Sequence, residues 1–259
     1  MLGAIVGDVV GSPFEADNVK RTDFRIFAAG ARCTDDSVLT VATADVLLNG
    51  GDYASAYQDY YRRYPNAGYG GSFIGWAARR MAGPYGSWGN GSAMRVSPVG
   101  WARDTLAEVL AEAERSAAVT HNHPDGIVGA QAVAGSVFIA RTGGSKDDVR
   151  AFVEDACGYP LDRSLDEIRP TYEFDVSCRG SVPVAVRAFL ESTDFETAVR
   201  LGVSVGGDSD TIACMAGAIA HAHYGRIPGH LLDPVLNIYL CPVLAGVALE
   251  FCERFEVGA

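Results

Sequence analysis

Hydrophobic residues recur along most of this chain at the three- and four-residue spacing of amphipathic helices, without the sustained alternation that is typical of a β-strand. We predict helices over residues 2–16, 36–48, 52–64, 72–82, 104–119, 125–141, 145–157, 181–191, 194–203 and 212–224, with two or three more within 228–255. The pattern contains no βαβ rhythm, internal repeat or linker. It therefore predicts an all-α fold of ten or more helices in one compact domain over residues 1–259.

Polar residues and irregular stretches separate these helices. Asp52, Ser72 and Asp104 are expected to cap the helices that they begin, because short polar side chains bond to free amides at helix starts. The least regular stretches are residues 17–33, 66–71 and 158–180. Three aromatic residues of the last stretch are expected to line an opening: Tyr159, Tyr172 and Phe174.

Two glycines followed by carboxylates and hydroxyls form the segment Gly206-Gly207-Asp208-Ser209-Asp210-Thr211, directly before an apolar helical run. Asp and Ser are ordinary N-cap residues, so a single acid here would be explained by capping. Two acids at positions i and i+2 exceed what one cap needs.

A second cluster of oxygen-bearing side chains, Thr34-Asp35-Asp36-Ser37, begins another predicted helix in the same way. If the two helix starts face each other, at least four carboxylates converge, and helix dipoles are too weak to hold that much negative charge together. A divalent cation would hold it. Oxygen ligands suit Mg²⁺, Mn²⁺ or Ca²⁺ and argue against a structural zinc site, although capping alone remains the alternative for each cluster.

Two further motifs carry candidate ligand contacts. The glycine-rich segment 85–95 (YGSWGNGSAMR) leads into a helix and could present backbone amides to a phosphate, but it lacks the Lys-Ser/Thr of a Walker motif and also reads as a plain turn. The loop 120–126 (THNHPDG) holds two of the five histidines. For His121 we favour contact with a ligand over contact with a metal.

Charge and cysteine content narrow the function classes. The formal net charge of −11 disfavours nonspecific binding to nucleic acids or anionic membranes. No stretch approaches the ~20 apolar residues of a membrane span, and the N-terminal apolar run meets Asp8 too early for a signal peptide. The six cysteines form no CxxC pair, which predicts reduced, packed thiols, Cys33 included, in a cytoplasmic protein.

Taken together, five motifs resemble the ADP-ribosylglycohydrolase family, which includes dinitrogenase reductase-activating glycohydrolase and the ADP-ribosylarginine hydrolases. The motifs occur in the family's order and are Gly7-Asp8-Val9-Val10-Gly11 with Glu15 following, Thr34-Asp35-Asp36-Ser37, Gly89-Asn90-Gly91-Ser92-Ala93-Met94-Arg95, Thr120-His121-Asn122-His123-Pro124 and Gly206-Gly207-Asp208-Ser209-Asp210-Thr211. The family commonly has threonine where this chain has Ser37, and the hydroxyl is retained.

The resemblance implies a multi-helical orthogonal bundle with two Mg²⁺ or Mn²⁺ ions in a cleft, which hydrolyses the bond at the anomeric carbon of an ADP-ribosyl group. It implies six metal ligands: Thr34, Asp35, Asp36, Asp208, Asp210 and Thr211. Glu15 falls at the position of an acid that acts on water or substrate, and Asp35 and Asp36 count as catalytic as well as metal-ligating. Asp8 falls outside the ligand set. The implied contacts to ADP-ribose are Gly89, Asn90, Gly91, Ser92, Met94 and His121.

Two other functions remain open: a binuclear-metal phosphohydrolase acting on a nucleotide, and a non-catalytic relative of the kind that includes lens crystallins. The acceptor carrying the ADP-ribose is not determined, since arginine, serine, O-acetyl-ADP-ribose and a modified nucleic acid base all fit. We expect no membrane partner, no nucleic acid partner except as a modified substrate, and a monomer.

Overall fold

A computed structural model of the protein describes residues 1–258. Within this range the chain forms fifteen α-helices and no β-strand, with one isolated bridge between Gly89 and Ser177. The all-α prediction is therefore confirmed. Among the same residues, no helix combines the length and the apolar character needed to cross a lipid bilayer.

Each predicted segment contains a helix, and a further short helix, Leu165–Ile168, lies in the stretch 158–180 that was predicted to be irregular. The bounds of the helices are α1 Leu2–Gly11, α2 Asp35–Asn49, α3 Tyr53–Arg63, α4 Gly71–Ala78, α5 Gly91–Met94, α6 Ser97–Trp101, α7 Leu106–Ala118, α8 Pro124–Arg141, α9 Lys146–Ala151, α10 Leu165–Ile168, α11 Cys178–Glu191, α12 Phe195–Ser204, α13 Ser209–Tyr224, α14 Gly229–Pro234 and α15 Pro242–Arg254. A 3₁₀ turn over Ser12–Phe14 extends α1, and π-helical turns over Phe152–Ala156 and Val235–Tyr239 extend α9 and α14.

Helix α13 lies at the centre of the core. Its first fourteen residues, from Ser209 to Ala222, are all buried, which explains the nearly continuous apolar run in its sequence. Helices α1, α8, α11 and α12 pack around it. A helix that is apolar on all sides must be enclosed by other elements, so the start of α13 is held inside the molecule.

Close contact between α1 and α13 depends on glycines spaced four residues apart on α1. A Cβ atom added to Gly7 would collide with the backbone of Ala213, and one added to Gly11 would lie 2.6 Å from the Cα of Asp210. Since residues four apart share one helix face, these glycines let the two backbones touch. The contact brings the end of α1, and the turn that carries Glu15, to the start of α13.

Several helix ends differ from the sequence prediction. The cap of helix α7 lies one residue later than expected: Thr105, not Asp104, forms it, and Glu108 completes a capping box. Helix α4 begins after Gly70, without a side-chain cap from Ser72, and ends at Ala78. Asp52 caps α3 as predicted, accepting a bond from the amide of Ser55.

Candidate active site

The segment before α2 is held by a buried carboxylate of α1. Asp8 Oδ2 accepts bonds from the amides of Thr34 (3.0 Å) and Ser37 (3.1 Å) and from the Ser37 hydroxyl. Asp8 Oδ1 accepts a bond from Thr34 Oγ1 at 2.6 Å. Asp8 is fully buried, and these four bonds make it the anchor that orients the first turn of α2.

In the first turn of α2, the Asp36 side chain points towards the start of α13. Thr34 caps α2 by accepting a bond from the Asp36 amide, and Asp36 is 2% exposed. Asp36 Oδ2 lies 3.3 Å from Thr211 Oγ1, which can donate to it, and 3.4 Å from Thr34 Oγ1, whose one proton goes to Asp8. The contact between Asp36 and Thr211 therefore joins the two oxygen-bearing clusters of the sequence, although these residues are 175 positions apart in the chain.

A turn of two glycines presents the second cluster. Gly206 and Gly207 have φ values of +76° and +68°, in the left-handed region that glycine adopts without steric cost. Asn18 fastens this turn: its Oδ1 accepts from the Gly207 amide at 2.7 Å, and its Nδ2 donates to the Gly207 carbonyl at 3.2 Å. The same Nδ2 donates to the carbonyl of Glu15 at 3.0 Å, so the turns that carry Glu15 and Asp208 are tied together.

Asp208 occupies the N-cap position of α13 but makes no capping bond with its side chain. Instead its Oδ2 accepts a bond from Asn90 Nδ2 at 2.7 Å. Capping alone therefore does not account for this acid. Asn90, expected to contact the ligand, directs its side-chain amide to the carboxylate.

Carboxylate oxygens converge in two groups that share one residue. In each group, one oxygen from every member lies within 4.8 Å of the others. The groups are Asp8, Asp36 and Asp210, and Glu15, Asp208 and Asp210. The sequence analysis placed Asp8 outside the set of metal ligands. Asp8 is close enough to the other acids to be a ligand, but its hydrogen bonds give it an anchoring role.

The electrostatics of these groups are unfavourable without a counter-charge. Burial, followed by the charge of Asp210, raises the pKa of Asp36 well above the usual aspartate value. Burial and then the charge of Asp208 raise the pKa of Asp210 likewise. Burial also raises the pKa of Asp208, against the opposing hydrogen bond from Asn90. Like charges this close favour protonation unless a cation is present.

The donor set fits a hard divalent cation. Every candidate ligand is a carboxylate or hydroxyl oxygen, the kind that Mg²⁺, Mn²⁺ and Ca²⁺ prefer. Asp36 Oδ1 is buried and has no hydrogen-bond partner among residues 1–258, which is rare for a buried carboxylate oxygen. A cation beside Asp36 and Asp210 would satisfy this oxygen and offset the repulsion.

Glu15 and Asp35 lie at the edge of the cluster. Glu15 is half-buried, and burial, then the charge of Asp208, raises its pKa, while the positive charge of Arg32 opposes the rise. Burial and the charge of Asp8 raise the pKa of Asp35 to about 8. Unlike Asp36, Asp35 belongs to neither close group within the described residues.

A cavity of about 450 Å³ opens over the carboxylates and extends to the glycine-rich segment. Its lining includes Glu15, Thr34, Asp35, Asp36, Asp208, Asp210, Thr211, Gly89, Asn90, Gly91, Met94 and His121. All but one of the site residues predicted from the sequence therefore share this cavity. The exception, Ser92, donates its hydroxyl to the carbonyl of Gly126 at 2.7 Å and is fully buried. Its side chain supports the loop rather than lining the cavity.

The glycine-rich segment and His121 are in direct contact. A Cβ atom on Gly91 would lie 3.1 Å from His121 Nε2, and one on Gly89 would lie 3.8 Å from it. The amides of Gly89 and Asn90 are already bonded, to Ser87 Oγ and the Val176 carbonyl respectively. Only part of the loop backbone is therefore left to bind an anion.

Sequence reasoning did not assign several residues of this site. Arg32 and Tyr85 line the cavity, and Asn18 fastens the turns beneath it. Asn18 lies three positions after Glu15 in the predicted loop, but its partner at Gly207 is 189 positions away, so the local sequence carries no signal for that bond. Of the three aromatic residues expected at an opening, Phe174 lines the cavity.

Cys33, beside Thr34, behaves as a packed thiol. Burial, followed by the charge of Asp8, raises its pKa far above that of an ordinary cysteine. A thiol that holds its proton this firmly is a poor nucleophile. The prediction that Cys33 serves packing is consistent with this environment.

Comparison with known proteins decides the family. The sequence model of one protein family, described as ADP-ribosylglycohydrolase, matches residues 1–258. This chain belongs to the ADP-ribosylglycohydrolase family. The resemblance drawn from the five motifs is thereby confirmed, and with it the prediction that the protein is a glycohydrolase enzyme.

Relatives of this chain are found in a vertebrate and in a bacterium. ADP-ribosylhydrolase ARH3 of Danio rerio is 26% identical over 306 residues, which cover 87% of this chain and 81% of the relative. ADP-ribosylarginine hydrolase Tri1 of Pseudomonas putida (strain GB-1) is 28% identical over 265 residues, which cover 87% of this chain and 69% of the relative.

A solved structure confirms the fold. A chain of an ADP-ribosylglycohydrolase-related protein complex superposes with a TM-score of 0.72 at 24% identity, covering 97% of this chain and 96% of that one. The helical bundle is therefore of the ADP-ribosylglycohydrolase type, as predicted.

Proposed function

We propose that this protein is a divalent-metal-dependent hydrolase that removes ADP-ribose from an ADP-ribosylated acceptor by cleaving the bond at the anomeric carbon of the distal ribose. The observation that carries the proposal is that converging carboxylates, the glycine-rich segment and His121 line one cavity. The names of the relatives support the same substrate class.

The metal centre is proposed to use oxygens of Thr34, Asp35, Asp36, Asp208, Asp210 and Thr211, with Mg²⁺ or Mn²⁺ as the ion and two ions in all. A divalent cation held there supplies positive charge that stabilises negative charge developing on oxygen and lowers the pKa of water. Asp8 orients the Thr34 hydroxyl, and Asn90 orients the Asp208 carboxylate. Such supporting contacts commonly tune metal affinity.

Glu15 is proposed as the acid or base of the reaction. It stands at the edge of the acid cluster and lines the cavity, so its carboxylate can reach a reacting group. Its raised pKa suits proton transfer, because a catalytic acid or base works best with a pKa near the working pH. The transition state of such a cleavage resembles an oxocarbenium ion, which nearby carboxylates also favour.

The remaining part of the cavity is proposed to hold the ADP-ribose itself. Gly89 and Gly91 leave room for close backbone approach, and His121 faces them. The cavity volume of about 450 Å³ lies within the range of small-molecule sites. An acceptor would then extend towards the mouth, near Arg32 and Phe174.

The experiment that tests the proposal is hydrolysis of ADP-ribosyl-arginine, ADP-ribosyl-serine and O-acetyl-ADP-ribose, each with Mg²⁺ and with EDTA. Release of free ADP-ribose from at least one substrate, only with the metal, is expected. Release of inorganic phosphate from a nucleotide instead would identify a phosphohydrolase. Binding of ADP-ribose without turnover of any substrate would identify a non-catalytic relative.

The stability gained from Mg²⁺ is expected to grow with pH. An acid whose pKa is higher in the folded than in the unfolded protein lowers the free energy of unfolding when it ionises. This destabilisation is absent below about pH 4 and is largest above the folded pKa. For Asp35 the folded pKa is raised to about 8 by burial and the charge of Asp8, so the metal-free protein should lose stability as the pH rises towards that value.

Differential scanning fluorimetry with Mg²⁺ and with EDTA measures this effect. With one ion concentration at both pH values, set at about 100 times the Kd that applies near pH 8, the melting temperature should rise by roughly 5 to 10 °C near pH 8 and by clearly less near pH 5, where protons compete with the ion. Equal rises at both pH values, or none, would contradict the convergence of ionised carboxylates around a cation.

Gly91→Val is expected to weaken ADP-ribose binding by at least about tenfold, because even a Cβ there would lie 3.1 Å from His121 Nε2. Metal content should stay unchanged. Gly83→Val is the matched control, since nothing lies within 4 Å of a Cβ added at Gly83. Isothermal titration with ADP-ribose compares the three proteins, and equal affinity in Gly91→Val would mean that the segment is only a turn.

A further inference from the structure

Arg95 is a buried cation without a carboxylate partner among the described residues. Its side chain is fully buried, and its guanidinium carbon stands 4.1 Å from the ring centroid of Tyr57. Nη2 donates to Thr120 Oγ1 at 2.7 Å and to the Ser116 carbonyl at 3.1 Å. A charge is costly to bury, so a specific use for this one is to be expected.

Thr120 accepts a hydrogen bond from Arg95, and its own hydroxyl proton needs an acceptor. An arginine side chain only donates hydrogen bonds, so Thr120 Oγ1 is the acceptor in that pair. Two acceptors remain for the threonine proton: His121 Nδ1 at 2.7 Å and the Ala117 carbonyl at 3.5 Å. The shorter distance is that of a good hydrogen bond and the longer one is marginal. Thr120 therefore donates to His121 Nδ1.

An Nδ1 atom that accepts a hydrogen bond carries no proton. The imidazole of His121 is then neutral, with its single proton on Nε2. The surroundings agree, since burial, followed by the positive charge of Arg95, lowers the pKa of His121 well below its usual value. His121 is only 4% exposed, and no solvent is needed to complete the bonding of Nδ1.

The protonated nitrogen faces the glycine-rich segment. The positions that Cβ atoms would take on Gly91 and Gly89 lie 3.1 Å and 3.8 Å from Nε2, and all three residues line the cavity. A donor there can bind an oxygen of a ligand without adding charge. An acceptor nitrogen at the same place would repel phosphate and carbonyl oxygens.

We propose that Arg95 and Thr120 form a relay that holds His121 in the neutral Nε2–H tautomer, so that the cavity presents one fixed hydrogen-bond donor to an oxygen of the bound ligand. Thr120 is a positioning residue, because it acts through His121. Arg95 also lines the cavity, but in this relay its Nη2 acts through Thr120 as a positioning group. That the ligand is ADP-ribose rests on the function proposed above, whereas the tautomer itself does not.

The first test uses the wild-type protein. Two-bond ¹H–¹⁵N spectra of protein labelled at its five histidines report the protonation of each ring nitrogen, and the signal missing from His121→Gln assigns His121. We expect a protonated Nε2 and an unprotonated Nδ1, unchanged as the pH falls through about 6.5, the usual histidine value. A protonated Nδ1 in the wild type, alone or with Nε2, would overturn the relay.

The second test removes the hydroxyl in the middle of the relay. Thr120→Val keeps the shape but cannot donate, and it should lower ADP-ribose affinity about tenfold and admit the Nδ1–H tautomer. Thr120→Ser, which retains the hydroxyl, should keep both the tautomer and the affinity.

The outcomes separate the two hypotheses. Thr120→Val with wild-type tautomer and affinity would overturn the relay, as would Thr120→Ser behaving like Thr120→Val. If Thr120→Val does not fold, the wild-type spectrum and Thr120→Ser still decide. A wild-type protein that shows the Nε2–H tautomer but binds no ADP-ribose would instead refute the proposed function and leave the relay standing.

Discussion

Asp210→Ala is expected to lower kcat/KM for an ADP-ribosylated substrate by at least about 10³-fold and to abolish divalent-cation binding in the same preparation. Asp210 is the one carboxylate common to both groups of converging acids, so its removal opens both. A metal ion typically contributes several kcal/mol of transition-state stabilisation, and each ~1.4 kcal/mol is a factor of ten in rate.

The loss should not come from unfolding. Burial and the charge of Asp208 raise the pKa of Asp210 well above its usual value, so this carboxylate destabilises the metal-free protein when it ionises. Metal-free Asp210→Ala should accordingly melt no lower than the metal-free wild type at neutral pH. The melting curve in EDTA thus serves as an internal check on folding.

A matched control is Asp52→Ala. Asp52 is an exposed aspartate that caps the start of α3 and is not among the residues lining the cavity. That variant should lose about 1 kcal/mol of stability, the usual value of a cap, and keep its metal and its activity. Metal analysis after dialysis, beside steady-state kinetics, compares the two. An Asp210→Ala protein that retained both metal and turnover would refute the proposed centre.

Local sequence predicted the pieces of this site better than their arrangement. Two segments can be recognised from sequence because they place more acids at a helix start than capping requires: Thr34-Asp35-Asp36-Ser37 and 206–211. Their meeting depends on Gly7 and Gly11, which allow α1 to touch α13. The spacing of residues alone could not predict that the two clusters meet, because contact between helices that are distant in the chain is decided by packing.

Contacts made by single side chains were the least predictable part. The bond from Asn90 to Asp208, the position of Ser92 against Gly126 and the fastening of Gly207 by Asn18 all join segments that are far apart in sequence. The longer helices followed from hydrophobic spacing, whereas the short helix α10 lies in a stretch that was predicted to be irregular. Helix ends were less certain where two capping residues adjoin, as with Asp104 and Thr105 at the start of α7.

Glu15→Gln is expected to lower kcat by roughly 10²–10⁴-fold, the usual contribution of general acid–base catalysis, while metal content and ADP-ribose affinity stay near wild type. The substitution keeps the size of the side chain and one carbonyl oxygen but removes the ionisable group. Glu114→Gln, the same change at an exposed position on α7, is the matched control and should have no effect.

The prediction turns on where Glu15 stands relative to the metal ligands. One of its oxygens lies within 4.8 Å of both Asp208 and Asp210, close enough to ligate, yet the residue is only half-buried at the cavity edge. A carboxylate that acts on a proton is needed in the transition state, whereas a ligand is needed in the ground state as well. Single-turnover hydrolysis, metal analysis and ADP-ribose titration on one preparation separate these roles. Loss of metal in step with activity would make Glu15 a ligand, and wild-type turnover would exclude it from the chemistry.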